Sequence, residues 1–111
     1  MPNHQPIDAV FAALADPTRR AVVERLGAGP ASVSDLAQRF PMALPSFLQH
    51  IRQLEGAGIV TTEKAGRVRT CTLRPLALAP VERWIIERRE TISAQYDRLG
   101  AYLEKQEKPD A

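Results

Sequence analysis

The chain has 111 residues, of which 44% are hydrophobic, and a formal net charge of +2. This length fits one domain, residues 1–111, with a modest core that a dimer interface would supplement, and it leaves no comfortable room for a second domain. The chain has one cysteine, no secretory segment and no apolar run of about 18 residues. We therefore expect a cytoplasmic protein in a reducing setting, without a membrane partner.

Two short helices are predicted near the start of the chain. Residues 1–6 are polar and contain two prolines, so we expect a loose lead-in, with His4 as a mobile surface residue rather than a ligand. The segment from Ile7 to Leu14 places its apolar side chains on one helical stripe. Asp16, which a proline follows, is a helix-start signal, and the helix that it caps should run to about Leu26. A Gly-Ala-Gly-Pro linker ends that helix.

The middle of the chain predicts a helix-turn-helix at about residues 32–57. Ser32 and the acid three residues later form a capping box, in which each side chain satisfies a backbone donor at a helix start. We expect this first helix to end near Phe40 because Pro41 cannot continue it. Pro45 suits the first turn of the next helix, where its missing N–H would have had no partner.

The second helix of this motif has two different faces. Its apolar positions, Phe47, Ile51 and Leu54, form a stripe that we expect to pack on the first helix. The opposite face has no carboxylate until Glu55. Such a face can read base edges in a major groove, where Gln, Ser, His and Arg find hydrogen-bonding partners, although any solvated helix face is polar. We predict DNA contacts for Leu44, Ser46, Gln49, His50, Arg52 and Gln53.

A β-hairpin is predicted at about residues 59–73. Its two arms are rich in β-branched residues and flank a Gly-Arg turn. A hairpin that follows a helix-turn-helix is a wing. The stretch from Thr61 to Pro75 holds four basic residues and one acid, Glu63. This excess of positive charge favours contact with phosphates or a minor groove over the alternative of a hairpin tip that only faces solvent. We predict DNA contacts for Lys64, Arg67 and Arg69.

The longest predicted helix covers about residues 80–106. Pro80 begins it, its apolar residues have heptad-like spacing, and charged residues cover the other side. We expect it to pair with the same helix and the first helix of a second subunit; the alternative is that it folds back on its own domain. The tail after Glu107 is expected to be disordered. The predicted dimer contacts are Val10, Phe11, Leu14, Trp84, Ile85, Ile92, Tyr96, Leu99, Tyr102 and Leu103.

These motifs resemble those of the ArsR/SmtB-type winged-helix repressors over nearly the whole chain. VFAALADPTRRAVVERL resembles the first two helices of that family, and LPSFLQHIRQLEGAGIV resembles its recognition segment. The resemblance implies a mainly α-helical winged helix-turn-helix of order α-α-α-α-β-β-α, in a homodimeric repressor that binds an inverted repeat in double-stranded DNA. It implies dimerisation through the first and last helices. It places DNA contact on Ser46, Gln49 and His50, and the wing role on Arg67; for His50 the alternative is a satisfied surface histidine.

Two residues depart from the pattern of this family. Leu48 stands where the family commonly has a serine, and it either contacts a thymine methyl group or packs beside Phe47. Ala43 stands where a serine or threonine often caps the recognition helix, and the missing cap should cost about 1 kcal/mol. The preferred DNA sequence is therefore expected to be atypical.

The ligands that metal-sensing members of the family use are missing from this sequence. The segment VSDLA has no cysteine, and the C-terminal helix has no histidine, whereas such sites need thiolates, imidazoles or carboxylates. The resemblance is therefore to the non-metal branch, and we expect no cofactor and no metal. Cys71, which should point inward with Leu73, is interpreted as a small buried hydrophobe, with a redox sensor as the alternative.

Three further hypotheses concern function. Enzymatic activity is not expected, because no nucleophile, base and orienting residue can be assembled from the two distant histidines and the serines. A winged-helix dimer that binds proteins instead of DNA is one alternative, and a metal- or redox-responsive repressor that uses Cys71 is another. A repressor would be constitutive or relieved by a small-molecule effector that changes the angle between its winged domains, with half-sites roughly 34 Å apart or a multiple of that distance.

Overall fold

The computed structural model describes residues 6–107. Most of the predicted lead-in, including His4, and the predicted tail lie outside this range, and Pro6 begins the first helix. The observed order confirms the predicted mainly helical fold with a small β-hairpin. The elements are α1 (Pro6–Leu14), α2 (Pro17–Leu26), β1 (Ala31–Ser32), α3 (Val33–Ala37), α4 (Leu44–Gly56), β2 (Val60–Ala65), β3 (Val68–Leu73) and α5 (Ala79–Glu107).

The chain divides into two units, one that ends at Val81 and one that begins at Glu82. The first unit contains α1 to α4 and the sheet, and the second contains all but the first turn of α5. None of the helices within residues 6–107 has the length and apolar character needed to cross a membrane.

Side-chain caps start two of the helices, as the sequence predicts. Asp16 Oδ2 accepts a hydrogen bond from the backbone N–H of Arg19 at 3.1 Å, and Pro17 opens α2. Ser32 Oγ accepts from the backbone N–H of Asp35 at 3.1 Å at the start of α3. Each bond satisfies a donor that the helix itself leaves free.

The first helix of the helix-turn-helix is shorter than predicted. It ends at Ala37 rather than near Phe40. The backbone N–H groups of Arg39 and Phe40 donate to carbonyls three residues earlier, at 3.1 and 3.2 Å, so the chain tightens into turns. The cause is Pro41, which has no N–H to donate to Ala37 O and whose ring crowds that carbonyl.

A Schellman motif ends α4, the second helix of the helix-turn-helix. The backbone N–H of Ile59 donates to Leu54 O, and that of Gly58 donates to Glu55 O, both at 3.0 Å. Gly58 has φ of 76°, a left-handed conformation that favours glycine. Ile59 and Leu54 are both fully buried in the same hydrophobic core, and apolar residues commonly occupy these two positions of the motif. The chain therefore turns from α4 directly into the hairpin.

The sheet has three antiparallel strands in the order β1-β3-β2. Strands β2 and β3 form the predicted hairpin, and the pair closest to its turn is Ala65 with Val68. Gly66 has φ of 64°, and no residue other than glycine within 6–107 has a positive φ. A two-residue turn with a positive φ at its first position only is type II′, which matches the twist of the two strands.

Strand β1 is absent from the predicted elements. It contains two residues, Ala31, which pairs with Cys71, and Ser32, which pairs with Thr70. Two residues are too few to show the alternation by which a strand is found in a sequence. The strand places the start of α3 at the edge of the sheet.

One hydrophobic core holds the first unit together. The predicted stripe of α4 faces this core, and the rings of Phe40 and Phe47 stack with their centroids 5.4 Å apart. Leu48 also packs against the core, which favours the packing alternative for this residue. Val10, which the sequence predicts as a contact with a second subunit, lies inside this core with 3% exposure. The buried apolar residues are Val10, Ala13, Val22, Leu26, Ala31, Val33, Leu36, Phe47, Ile51, Leu54, Ile59, Val60, Cys71 and Val81.

Candidate nucleic-acid interface

Apart from Leu44, the outer face of α4 consists of polar side chains that the core does not use. The buried stripe takes one side of the helix, so the remaining positions face solvent, where a duplex can approach. Ala43 precedes the helix in an extended conformation and makes no side-chain cap. The exposed predicted contacts on this helix are Leu44, Ser46, Gln49, Arg52 and Gln53.

His50 is placed differently from its neighbours on α4. Its Nδ1 lies 3.1 Å from Arg19 NH1 and 3.7 Å from Asp16 Oδ2, and its side chain is 21% exposed. Both partners belong to the corner at which α2 begins. The Nδ1 atom of His50 is therefore engaged within the protein.

Asp16 is electrostatically linked to the same cluster. The backbone N–H of Arg19 is the largest cause that holds the pKa of the Asp16 carboxyl below its usual value. Burial opposes this effect, and the charge of Arg19 adds to it. Asp16 therefore stays a carboxylate, able to cap α2 while it faces His50.

The hairpin brings two cations side by side. Lys64 and Arg69 are cross-strand partners, both exposed. Like charges directly opposite each other on a sheet destabilise it, so this pair suits a surface that binds an anion. Arg67 is also exposed, at the second position of the turn. All three predicted wing residues thus lie in the outer half of the hairpin.

A chain of two hydrogen bonds joins the wing to the recognition helix. Arg69 NH1 donates to Thr62 Oγ1 at 3.0 Å, and Thr62 Oγ1 donates to Glu55 Oε2 at 2.7 Å. The groove beside these bonds is also lined by Arg52 and Leu48. Cations from α4 and from β3 therefore line one groove. Glu55 carries the first carboxylate on the outer face of α4, and this carboxylate accepts the hydrogen bond from Thr62.

Four residues of this region are not among the predicted functional candidates, namely Asp16, Arg19, Glu55 and Thr62. The Asp-Pro-Thr-Arg segment indicates only a helix start, and nothing local signals that the side chain of Arg19 reaches a residue 31 positions later. Threonine in an exposed strand is ordinary. Only the packing of α2 and β2 beside α4 brings these groups together.

Cys71 is fully buried, as predicted. Burial, with a smaller effect of the Glu55 carboxylate, raises the pKa of its thiol to about 11. A thiol of this kind is protonated at neutral pH and reacts slowly. In the part of the chain that the structure describes, no three side chains of His, Cys, Asp or Glu lie close enough together to hold a metal ion.

The predicted dimer contacts differ in their burial. Leu14 is partly buried and packs against the core of the first unit. Apart from Val10, which is buried, the remaining predicted contacts expose large apolar surfaces, with Tyr96 69% exposed. On α5, Arg88 also lies over the ring of Trp84, 5.2 Å from its centroid. The exposed members are Phe11, Trp84, Ile85, Ile92, Tyr96, Leu99, Tyr102 and Leu103.

A helix-turn-helix with a polar outer face, followed at once by a basic hairpin, defines a class of DNA-binding transcription regulators. Comparison with known proteins agrees. The model of a helix-turn-helix domain family matches residues 14–63. The HTH-type transcriptional regulator Rv2034 of Mycobacterium tuberculosis is 42% identical over 79 residues, which cover 71% of this chain and 74% of the relative.

Two further proteins refine this class. The transcriptional repressor SdpR of Bacillus subtilis is 29% identical over 77 residues, which cover 69% of this chain and 86% of the relative. The crystal structure of the ArsR family transcriptional regulator RHA00566 shares 50% identity with a TM-score of 0.76, over 80% of this chain and 98% of that chain. The chain belongs to the ArsR family of transcriptional regulators, and the resemblance found in the sequence is confirmed.

Proposed function

We propose that this protein is a homodimeric repressor that acts in the cytoplasm and binds an inverted repeat in double-stranded DNA. Each α4 lies in the major groove of one half-site, and each wing contacts the adjacent sugar-phosphate backbone or minor groove. The observation that carries the proposal is the groove that Arg52 of α4 and Arg69 of β3 line together. Guanidinium groups from two elements at one groove suit the bidentate contacts that phosphates and guanines accept.

The roles of individual residues follow from their positions. Ser46, Gln49 and Gln53 are exposed on the outer face of α4, where short polar side chains meet base edges. Lys64, Arg67 and Arg69 contact phosphates, because they are exposed cations on the hairpin. Repression follows because a dimer bound at a promoter blocks polymerase, and the similarity to a protein named as a repressor supports this sign of regulation.

The dimer is proposed to form through α5 and the exposed part of α1. The exposed apolar residues of α5 recur with near-heptad spacing, as in Ile85, Ile92 and Leu99. A helix with this pattern is stabilised when a second helix covers it. Two-fold symmetry of the dimer then matches an inverted repeat, with half-sites about one helical turn, roughly 34 Å, or a multiple apart.

The repressor is proposed to be constitutive or relieved by a small molecule, and to use no metal. The burial and high thiol pKa of Cys71 count against the redox alternative, since oxidation requires an accessible thiolate. Relief would act by changing the angle between the two winged domains.

Selection of duplexes from a random library by the purified protein, at about 150 mM salt, tests the proposal. Enrichment of an inverted repeat is the expected result. Enrichment of no sequence would overturn the proposal and favour the alternative of a dimer that binds proteins.

A wing variant tests the contact with DNA directly. Arg67→Ala/Arg69→Ala should lower affinity for the selected duplex and flatten its salt dependence, by about one unit for each phosphate that the wing no longer neutralises, because fewer counterions are released. Arg83→Ala/Arg89→Ala on α5 removes the same charge away from the wing and should change both quantities much less. Affinity is measured by fluorescence anisotropy at several salt concentrations. Equal effects in the two variants would mean that the loss of affinity comes from the change in net charge and not from lost contacts of the wing.

A further inference from the structure

One guanidinium joins the corner between α1 and α2 to the recognition helix. Arg19 Nε donates to Ala13 O at 2.7 Å, and Arg19 NH2 donates to Ala12 O at 3.2 Å. Arg19 NH1 lies 3.1 Å from His50 Nδ1. All three nitrogens of this group therefore have partners, two at the C-terminal end of α1 and one on α4.

The chemistry of the pair fixes which atom donates. A guanidinium has donors only, so His50 Nδ1 is the acceptor and the proton of the neutral imidazole lies on Nε2. Asp16 Oδ2, at 3.7 Å from the same Nδ1, is too distant for a hydrogen bond. Of the two contacts, the bond from Arg19 is therefore the one that orients the ring.

Apolar packing alone leaves freedom in the orientation of α4. Phe47, Ile51 and Leu54 hold the helix against the core through contacts without direction, whereas a hydrogen bond from a charged donor has a narrow range of angles. His50 lies on α4 between the proposed base contacts Gln49 and Gln53. A bond that fixes His50 therefore fixes the angle at which those side chains meet a duplex.

We propose that Arg19 is a positioning residue for DNA recognition, which acts by holding His50, and that His50 orients α4 instead of reading a base through Nδ1. This inference rests on the proposed function, because it assigns a role within the reading of DNA. Arginine is required at this position, since its rigid fork supplies three directed donors whereas a lysine ammonium is a single compact charge.

Arg20 provides a matched control. Its NH1 donates to Leu14 O at 2.8 Å, so it also binds a carbonyl at the end of α1, and it carries the same charge. This bond of Arg20 stays at the corner, whereas Arg19 reaches α4. Loss of Arg20 therefore removes a charge and a helix-end bond without removing the link to His50.

The experiment compares full-length variants on two probes, the duplex that the wild type enriches and a scrambled duplex of equal composition. Arg19→Ala should lower the ratio of the two affinities about tenfold, as expected for loss of a charged hydrogen bond, and Arg19→Lys should not restore it. Arg20→Ala should leave the ratio unchanged. Circular dichroism verifies that each variant is folded. If Arg19→Ala is unfolded, the affinity ratio of Arg19→Lys tests the inference in its place.

A second set of variants tests the role of His50. The Oδ1 of asparagine can stand near the position of Nδ1, so His50→Asn should retain more discrimination than His50→Ala. The double variant Arg19→Ala/His50→Ala should discriminate between the two duplexes as well as the less discriminating of the two single variants. The reason is that each single substitution removes the same hydrogen bond.

The results that overturn the inference are distinct from those that overturn the proposed function. A wild type that enriches no duplex removes the proposed function and the inference together. A wild type that discriminates while Arg19→Ala discriminates equally well removes the inference alone. The inference is also removed if His50→Ala changes the base preference at one base pair and Arg19→Ala leaves that preference unchanged. His50 would then read a base.

Discussion

Cys71 is a titratable side chain that lies fully buried in the core. It lies in the central strand β3, paired with Thr62 on one side and Ala31 on the other. Its thiol pKa is raised from 9.0 to about 11, chiefly by burial. Such a group favours the folded state only while it is protonated.

Stability should therefore fall in alkaline solution by an amount that depends on Cys71. Above pH 9.0 the thiol of the unfolded chain ionises, whereas that of the folded chain keeps its proton until about pH 11. The stabilisation is complete below the lower of these values and is lost as pH rises to the higher one. Between about pH 8 and pH 11, the wild type should lose about 1 to 2 kcal/mol more than Cys71→Ala in urea unfolding.

Cys71→Ala is the reference for the wild type, because the two chains share every other ionisable group. Parallel losses of stability in the two proteins would show that the thiol is solvated. The pH at which the two curves separate locates the ionisation of the unfolded chain.

Individual residues differ in how far the sequence predicts them. The burial of Phe47, Ile51 and Leu54 follows from their spacing, since a helix with a 3.6-residue period places them on one side. The link from Arg19 to His50 does not follow, because it depends on how two helices distant in sequence are packed. Local patterns contain no information on that distance.

At the scale of elements, the recognition helix α4 begins without a side-chain cap. Ala43 occupies the cap position with extended backbone angles, φ of −65° and ψ of 146°, and has no side-chain acceptor. The helix ends, by contrast, in a full Schellman motif at Gly58. One end of α4 is thus held by hydrogen bonds that the other end lacks.

A serine at this position should stabilise the protein. In Ala43→Ser the backbone angles already suit a cap, and the hydroxyl can accept from a free N–H of the first turn, for a gain of about 0.5 to 1 kcal/mol in unfolding free energy. Ala43→Val, which has no acceptor, is the control. Urea denaturation measures both, and a serine variant no more stable than the wild type would mean that water already satisfies this helix end.

Element boundaries are predictable where a side chain or a proline marks them. Asp16 begins α2 in the sequence and in the structure, and Leu26 ends it. The predicted end of α3 is too late because Pro41 lacks the N–H that would bond to Ala37 O, and its ring crowds that carbonyl. Strand β1 escapes prediction because it exists only through its pairing with β3.

At the scale of the whole molecule, α5 is the element whose surface most needs a partner. Its large apolar residues are exposed over most of its length, from Trp84 to Leu103. An exposed apolar surface of this extent is typical of an association site. The sequence predicts this feature through the near-heptad spacing, but a single chain does not contain the partner that would test it.

Charged substitutions in this surface should separate the subunits of the proposed dimer. Ile92→Asp/Leu99→Asp would place carboxylates in an apolar interface, at a cost of several kcal/mol. We expect a monomer by analytical ultracentrifugation, with far weaker binding to the inverted repeat but unchanged binding to nonspecific DNA per domain. Glu87→Gln/Glu90→Gln changes the charged side of α5 and should remain dimeric. A dimeric aspartate variant would assign the interface to other residues.

Strand β1 limits where this fold can tolerate inserted residues. Ser32 pairs with Thr70 in the sheet and also caps α3 through its side chain, so one residue holds two elements in register. An insertion in the Gly-Ala-Gly-Pro linker before Ala31 lengthens a surface loop, which is a small perturbation. An insertion of one residue between Ala31 and Val33 would instead separate the sheet register from the helix cap. Variation in length among related chains should therefore accumulate on the N-terminal side of Ala31 and stop there.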